Sequence, residues 1–148
     1  MVTLLNWNFI IPKKVCDELQ KKSISNQLGG LIDNNIIEVE SCSNGLLLQL
    51  QKQLIGIDDG ELEAICIVDK CEDRKFTQYL ILIDDVPAQK KAGELGMKSL
   101  DIVMFLFMAN QKGFLESKQV RDSITILESA GYFITPPVKK DISKRLIN

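Results

Sequence analysis

Short apolar runs alternate along this chain with stretches whose apolar residues recur every three or four positions. That alternation predicts strands interleaved with helices. Phe9-Ile10-Ile11 reads as a short strand halted by Pro12, a residue well suited to a first helical turn. A helix is expected from Pro12 to about Ile24, with Val15 and Leu19 at helical spacing and Glu18 among them. Gly29-Gly30 should break the chain, and Asn34-Asn35 should turn it into a second strand, Ile36 to Glu40. Ser43 or Asn44 suits the cap of a helix running through Leu46-Leu47-Leu48 to about Leu54. Asp58 or Asp59 suits the cap of the next helix, Gly60 to about Lys75. Tyr79 to Ile83 is continuously hydrophobic, the mark of a central strand covered on both faces. Pro87 then opens a helix that Gly96 closes.

A short strand at Met97 to Leu100 precedes three further helices. These are Asp101 to Lys112, stopped by Gly113; about Lys118 to Ala130, stopped by Gly131; and Pro137 to about Leu146. The pattern predicts a single α/β domain over residues 1–148, a parallel sheet packed by helices with a helical C-terminal part. Ile102 to Met108 is apolar on every side, which suits a deep interior or an interface. The need to cover the sheet favours the interior.

Composition narrows the chemistry. The chain has no histidine, which removes serine-histidine and cysteine-histidine nucleophiles, histidine-ligated zinc and imidazole acid-base steps. Net charge is −2, so nothing overall advertises a nucleic-acid binder, although lysine pairs at 13–14, 21–22, 90–91 and 139–140 allow local basic patches. Taken singly, each pair reads as a solvated helix face. Cysteines at 16, 42, 66 and 71 form no Cys-x-x-Cys and read as reduced thiols of a cytoplasmic protein. No basic region followed by an apolar core opens the chain, and its longest apolar run, Ile102 to Ala109, is too short to span a bilayer. A glycine-rich phosphate loop is also missing, which weakens a nucleotide-binding reading.

Carboxylates stand out instead. Glu61 and Glu63 lie in the first turns of the Gly60 helix, and Asp84-Asp85 end the Tyr79 to Ile83 strand. Helix N-termini and the carboxyl ends of parallel strands are where an open α/β fold builds ligand sites. The run Gly60-Glu61-x-Glu63-Ala64-Ile65, then Leu82-Ile83-Asp84-Asp85 with Ala88 and Ala92-x-x-Leu95-Gly96, resembles the PIN-domain superfamily of nucleases. The nearest likeness is to prokaryotic predicted nucleic-acid-binding proteins related to VapC-type toxins. Ile10-Ile11-Pro12-x-x-Val15-x-x-Glu18-Leu19 upstream extends it, as do Ala109-x-x-x-Gly113-Phe114-Leu115 and Leu127-x-x-x-Gly131-Tyr132-Phe133-Ile134 downstream.

The resemblance implies a ribonuclease dependent on Mg²⁺ or Mn²⁺, with Glu18, Glu61 and Asp84 as catalytic acids and metal ligands. Asp85 and Asp101 are supporting ligand candidates, Glu63 a supporting acid, and Lys13, Lys14, Lys90 and Lys91 would steer the RNA backbone. Each acid also has a plainer reading. Glu18 fits a solvated helix face, Glu61 answers a helix dipole, Asp84 or Asp85 caps the helix near Val86, and Asp101 caps the Ile102 helix. The family's first strand and its aspartate would precede Met1. Three explanations follow: a start further upstream, a strand donated by another protomer or protein, or a re-closed sheet; with Met1 as the true start, the site is expected to be weakened or inactive. The partners implied are RNA, an antitoxin and a second copy of the chain, with no membrane. The competing function is a non-catalytic PIN-like module for protein interaction or homodimerisation.

Overall fold

Pro12 ends the first strand, β1 (Phe9–Pro12), and at φ −58° and ψ 142° hands the chain straight into α1 (Lys13–Gln20). The computed structural model describes residues 8–22, 25–69 and 79–146. The next helix, α2 (Ser25–Asp33), runs through Gly29-Gly30, so the expected break there is corrected. Two helical glycines cost about 1 kcal/mol each relative to alanine. Leu28, Leu31 and Ile32 at helical spacing, with Leu28 buried, offset that cost. The turn falls instead at Asn34-Asn35, where Asn35 adopts φ +54°, a conformation asparagine tolerates better than most residues. Asn34 Nδ2 donates to the Gly30 carbonyl at 2.6 Å.

The strand β2 (Ile37–Glu40) pairs in parallel with β1, Phe9 opposite Ile37 and Pro12 opposite Glu40. Ser43 caps α3 (Asn44–Gln53), its side chain accepting from Leu46 N. The following helix is α4 (Asp59–Asp69). The first helix ends at Gln20 with Lys21 as its cap, which corrects the expected run to about Ile24; the expected end at Lys75, and Cys71, lie outside the described residues.

The strand β3 (Ile81–Leu82) pairs with β4 (Ser99–Leu100) in a second two-stranded sheet, helped by Ile81 N donating to the Lys98 carbonyl. Expectation placed this strand under cover on both faces. Ile81 and Ile83 are buried, but Leu82 between them is 43 % exposed, the inside-outside alternation of a strand covered on one side. Between these strands lies α5 (Val86–Glu94), capped by Asp85 and ended at Gly96, whose φ of +76° is easy only for glycine. Architecture is therefore α/β with short parallel strands and a helical C-terminal part.

Contacts gather the chain into two compact units that divide after Ser99. The first centres on Leu62, Ile65 and Cys66 of α4 with Leu50, Leu54, Ile57, Ile81, Ile83, Ala88 and Ala92 around them. The second consists of α6 (Ile102–Gln111), α7 (Ser117–Ser129) and α8 (Pro136–Arg145), closed over Val103, Leu106, Val120, Ile134 and Ile142. Inside it Asn110 Nδ2 donates to the Leu115 carbonyl at 2.9 Å, and Gln119 accepts from Glu116 N at 2.8 Å to close the start of α7. No described helix is long and apolar enough to cross a membrane.

Candidate functional site

An open hollow of about 500 Å³ lies where α1 meets the start of α4, lined by Val15, Glu18, Ile57, Asp58, Asp59, Gly60 and Glu61. Four of those seven residues carry carboxylates. Local sequence explains the geometry. Ile57 is buried and anchors the turn, while Asp58 accepts the first intrahelical bond of α4 on its carbonyl, from Leu62 N at 2.9 Å. That leaves Asp59 and Glu61 in the first helical turn, where exposed amides and the helix dipole favour negative charge.

Gly60 is required by proximity, not by backbone conformation. A methyl group there would stand 2.8 Å from Val15 Cγ2, closer than carbon atoms pack. The bare backbone at Gly60 thus lets α1 and α4 touch, and Glu18, one turn beyond Val15, comes to the same hollow as Glu61.

Glu63 holds the same junction from beneath. It is 2 % exposed, and its carboxylate accepts from Lys14 N at 2.6 Å and from Cys42 N at 3.3 Å. Lys14 lies in the first turn of α1 and Cys42 just beyond β2, so one side chain ties α4 to the carboxyl ends of both parallel strands. Charge-assisted bonds to backbone amides let a buried carboxylate remain satisfied. Among the described residues no buried side-chain nitrogen or oxygen lacks a partner.

A covalent tie accompanies it. Cys42 and Cys66 form a disulfide, with their Cα atoms 6.2 Å apart, while Cys16 is a buried free thiol. The expectation of reduced thiols is corrected for this pair. Twenty-four positions separate the two in the chain, and only the packing of α4 against the residues after β2 brings them together.

The structure thus gathers Glu18 and Glu61. Asp84, exposed just after β3, is not among the residues lining their hollow. Asp85 caps α5, accepting from Ala88 N at 2.8 Å, and Asp101 caps α6, accepting from Met104 N at 2.7 Å. Of the four lysines, Lys14 Nζ lies 3.5 Å from Asp59, Lys13 pairs with Asp17, Lys91 is 2.9 Å from Glu94, and Lys90 is exposed on α5. The bond to Asp17 raises the Lys13 pKa, and the bond from Lys91 lowers that of Glu94. From the sequence, Asp58 and Asp59 suit only helix caps; the structure adds them to the hollow. Their signal was the paired acids immediately before a close-packed glycine.

A family model described as a PIN domain matches residues 1–148. The chain belongs to the PIN-domain family. No curated protein and no solved structure matches it. The PIN domain carries a nuclease-like fold, and PIN domains generally use divalent metals. In kind, the hollow's donors suit such an ion, because Mg²⁺ and Mn²⁺ take carboxylate oxygens. Among the described residues, however, no three acidic or thiol side chains are gathered into a ready-made ion cage. The fit is one of donor chemistry and of a shared cavity. It does not extend to completed coordination.

Proposed function

We propose that this PIN domain is a ribonuclease dependent on Mg²⁺ or Mn²⁺, with the acidic hollow between α1 and α4 as its ion site. The observation that carries the reading is the pairing of Glu18 with Glu61 in one hollow, joined by Asp58 and Asp59, in a chain of this family. Four carboxylates line the hollow and Lys14 lies 3.5 Å from one of them, Asp59, which leaves a local surplus of negative charge. Divalent cations relieve such a surplus. When bound, the ion would supply charge neutralisation at phosphate and an activated water. The protein's own side chains would orient the ion, and Lys13, Lys14, Lys90 and Lys91 would steer the RNA backbone. Asp84 is proposed as a third ligand, with Asp85 and Asp101 in support. We take residues 1–148 as one functional PIN-like domain, acting in the cytoplasm. A toxin role opposed by an antitoxin is the finer form of this proposal.

Calorimetric titration with Mn²⁺ and an RNA-cleavage assay test it together. Wild type should bind Mn²⁺ at millimolar concentration or below and cut RNA only with the ion present. Glu18→Gln combined with Glu61→Gln should abolish both. Cleavage that persists in the double variant rejects the site, and cleavage that persists in Asp84→Asn removes that residue from it.

A second reading, a non-catalytic module for protein interaction or homodimerisation, is favoured by one feature. The α6–α8 unit has a mainly apolar groove of about 300 Å³ lined by Met104, Phe107, Pro137, Val138 and Ile142, with Asp141 and Arg145. Light scattering over a concentration series separates the two readings, since a strict monomer removes the support for homodimerisation.

A further inference from the structure

We propose that the Cys42–Cys66 disulfide is a redox clamp on the acidic hollow, tightening α4 against the residues after β2 when oxidised and loosening it when reduced. This regulates the ion site proposed above and rests on that reading only for its functional consequence. Besides the core around Leu62 and Ile65, three specific contacts hold α4. Gly60 meets Val15 at its start, Glu63 binds Lys14 N and Cys42 N, and Cys66 is bonded to Cys42. Two of the three converge on Cys42. Its amide is held by Glu63 and its sulfur by Cys66, so one residue carries both the polar and the covalent tie. Cys66 is five positions beyond Glu61 on the same helix, about 7.5 Å along its axis. Movement of the Cys66 turn therefore carries to the carboxylates of the first turn.

The arrangement suits a reversible bond better than a permanent staple. Breaking the disulfide leaves the Cys42 amide on Glu63, which keeps the two thiols close to where they must meet again. Access is asymmetric as well. Cys66 is 1 % exposed within the core, whereas Cys42 is only partly buried at the edge of it. A dithiol reductant therefore attacks at Cys42 Sγ. The Cys42–Cys66 bond breaks, a mixed disulfide forms on Cys42, and Cys66 leaves as a thiolate that takes a proton. The second thiol of the reductant then displaces Cys42, which is protonated in turn. Two electrons and two protons pass to the protein, and the reductant becomes a disulfide. In a reducing compartment such bonds are transient and sensing in character.

The test uses the full chain in a Cys71→Ser background, so that only Cys16, Cys42 and Cys66 remain. Thiol titration under denaturing conditions should find one free thiol after mild oxidation and three after dithiothreitol. Hydrogen exchange at the bonded amides Leu62 to Ile65 should quicken at least threefold on reduction, and equally in Cys42→Ser combined with Cys66→Ser. Exchange in α7 serves as the internal reference and should not change. Mn²⁺ affinity should fall three- to tenfold on reduction. Three free thiols after oxidation, or equal exchange rates in the two redox states, overturn the clamp. Faster exchange on reduction without Mn²⁺ binding in either state supports the clamp and rejects the ion site, so the two proposals fail separately.

Discussion

The α1–α4 junction and the α6–α8 unit solve opposite problems. Around α1 and α4 the surface is a carboxylate hollow, and the buried support beneath it is a charged side chain and a disulfide. In the helical unit the opening is mainly apolar, and three ion pairs join its charged residues. Asp141 lies 2.9 Å from Arg145 on α8, Lys118 lies 2.6 Å from Asp122 on α7, and Lys139 pairs with Glu128. Stability alone explains the second arrangement, since hydrophobic burial and neighbouring ion pairs are what a small helical unit needs. It does not explain the first. The ion proposed for the hollow would give such a gathering of carboxylates a role.

That contrast can be broken most strongly at Glu63. Glu63→Ala strands two backbone amides and leaves a void, and should cost about 4 kcal/mol from the loss of two charge-assisted bonds. Urea denaturation reads this, and Glu63→Gln should recover part of it by accepting one bond. In the helical unit, Ile142→Ala should cost about 3 kcal/mol by cavity formation, yet leave Mn²⁺ affinity unchanged. Equal loss of ion affinity in both variants would erase the distinction between the regions.

Reducing Cys42–Cys66 should cost about 3 kcal/mol, because the closed loop no longer restrains the unfolded chain. Parallel denaturation curves with and without dithiothreitol measure it. Gly60→Ala should cost about 2 kcal/mol by overpacking against Val15. It should weaken Mn²⁺ binding as well, since α1 and α4 must part at the hollow. Asp58→Asn is the sharpest discriminator, although its effect is small. Removing one of four clustered carboxylates relieves repulsion but forfeits its attraction to the helix start, so stability should change by less than about 0.5 kcal/mol while ion binding weakens. Asp141→Asn on α8 should lower stability slightly and leave ion binding alone.

The smallest effect concerns pH. Hydrogen bonding to Asp122 raises the Lys118 pKa above its ordinary value. The pair's contribution is therefore fully present below that ordinary value and is lost as pH rises through the folded one. Both groups are exposed, so Lys118→Ala should change thermal stability only marginally, and only below that window.

Much of the fold was legible because its signals are local. Ser43, Asp85 and Asp101 announce helix starts by side-chain chemistry, and each accepts from an amide three residues on. Gly96, Gly113 and Gly131 announce helix ends through positive φ. Two readings failed for the opposite reason. Gly29-Gly30 looks like a break in isolation, but burial of Leu28 holds the helix together across it. Tyr79 to Ile83 looks doubly covered by its unbroken hydrophobicity, but what lies over each face depends on distant segments, and Leu82 is left exposed.

The candidate site divides along the same line. From its residues alone the chain declares no histidine, a cluster of acids at one helix start, and membership in the PIN-domain family. Tertiary structure decided that Glu18 joins Glu61 with Asp58 and Asp59, that Glu63 turns inward, and that Cys42 finds Cys66. Those contacts span 21 to 49 positions in the chain. Local propensity has no reach over such separations. They form because burying the apolar face of α4 fixes where its remaining side chains must go.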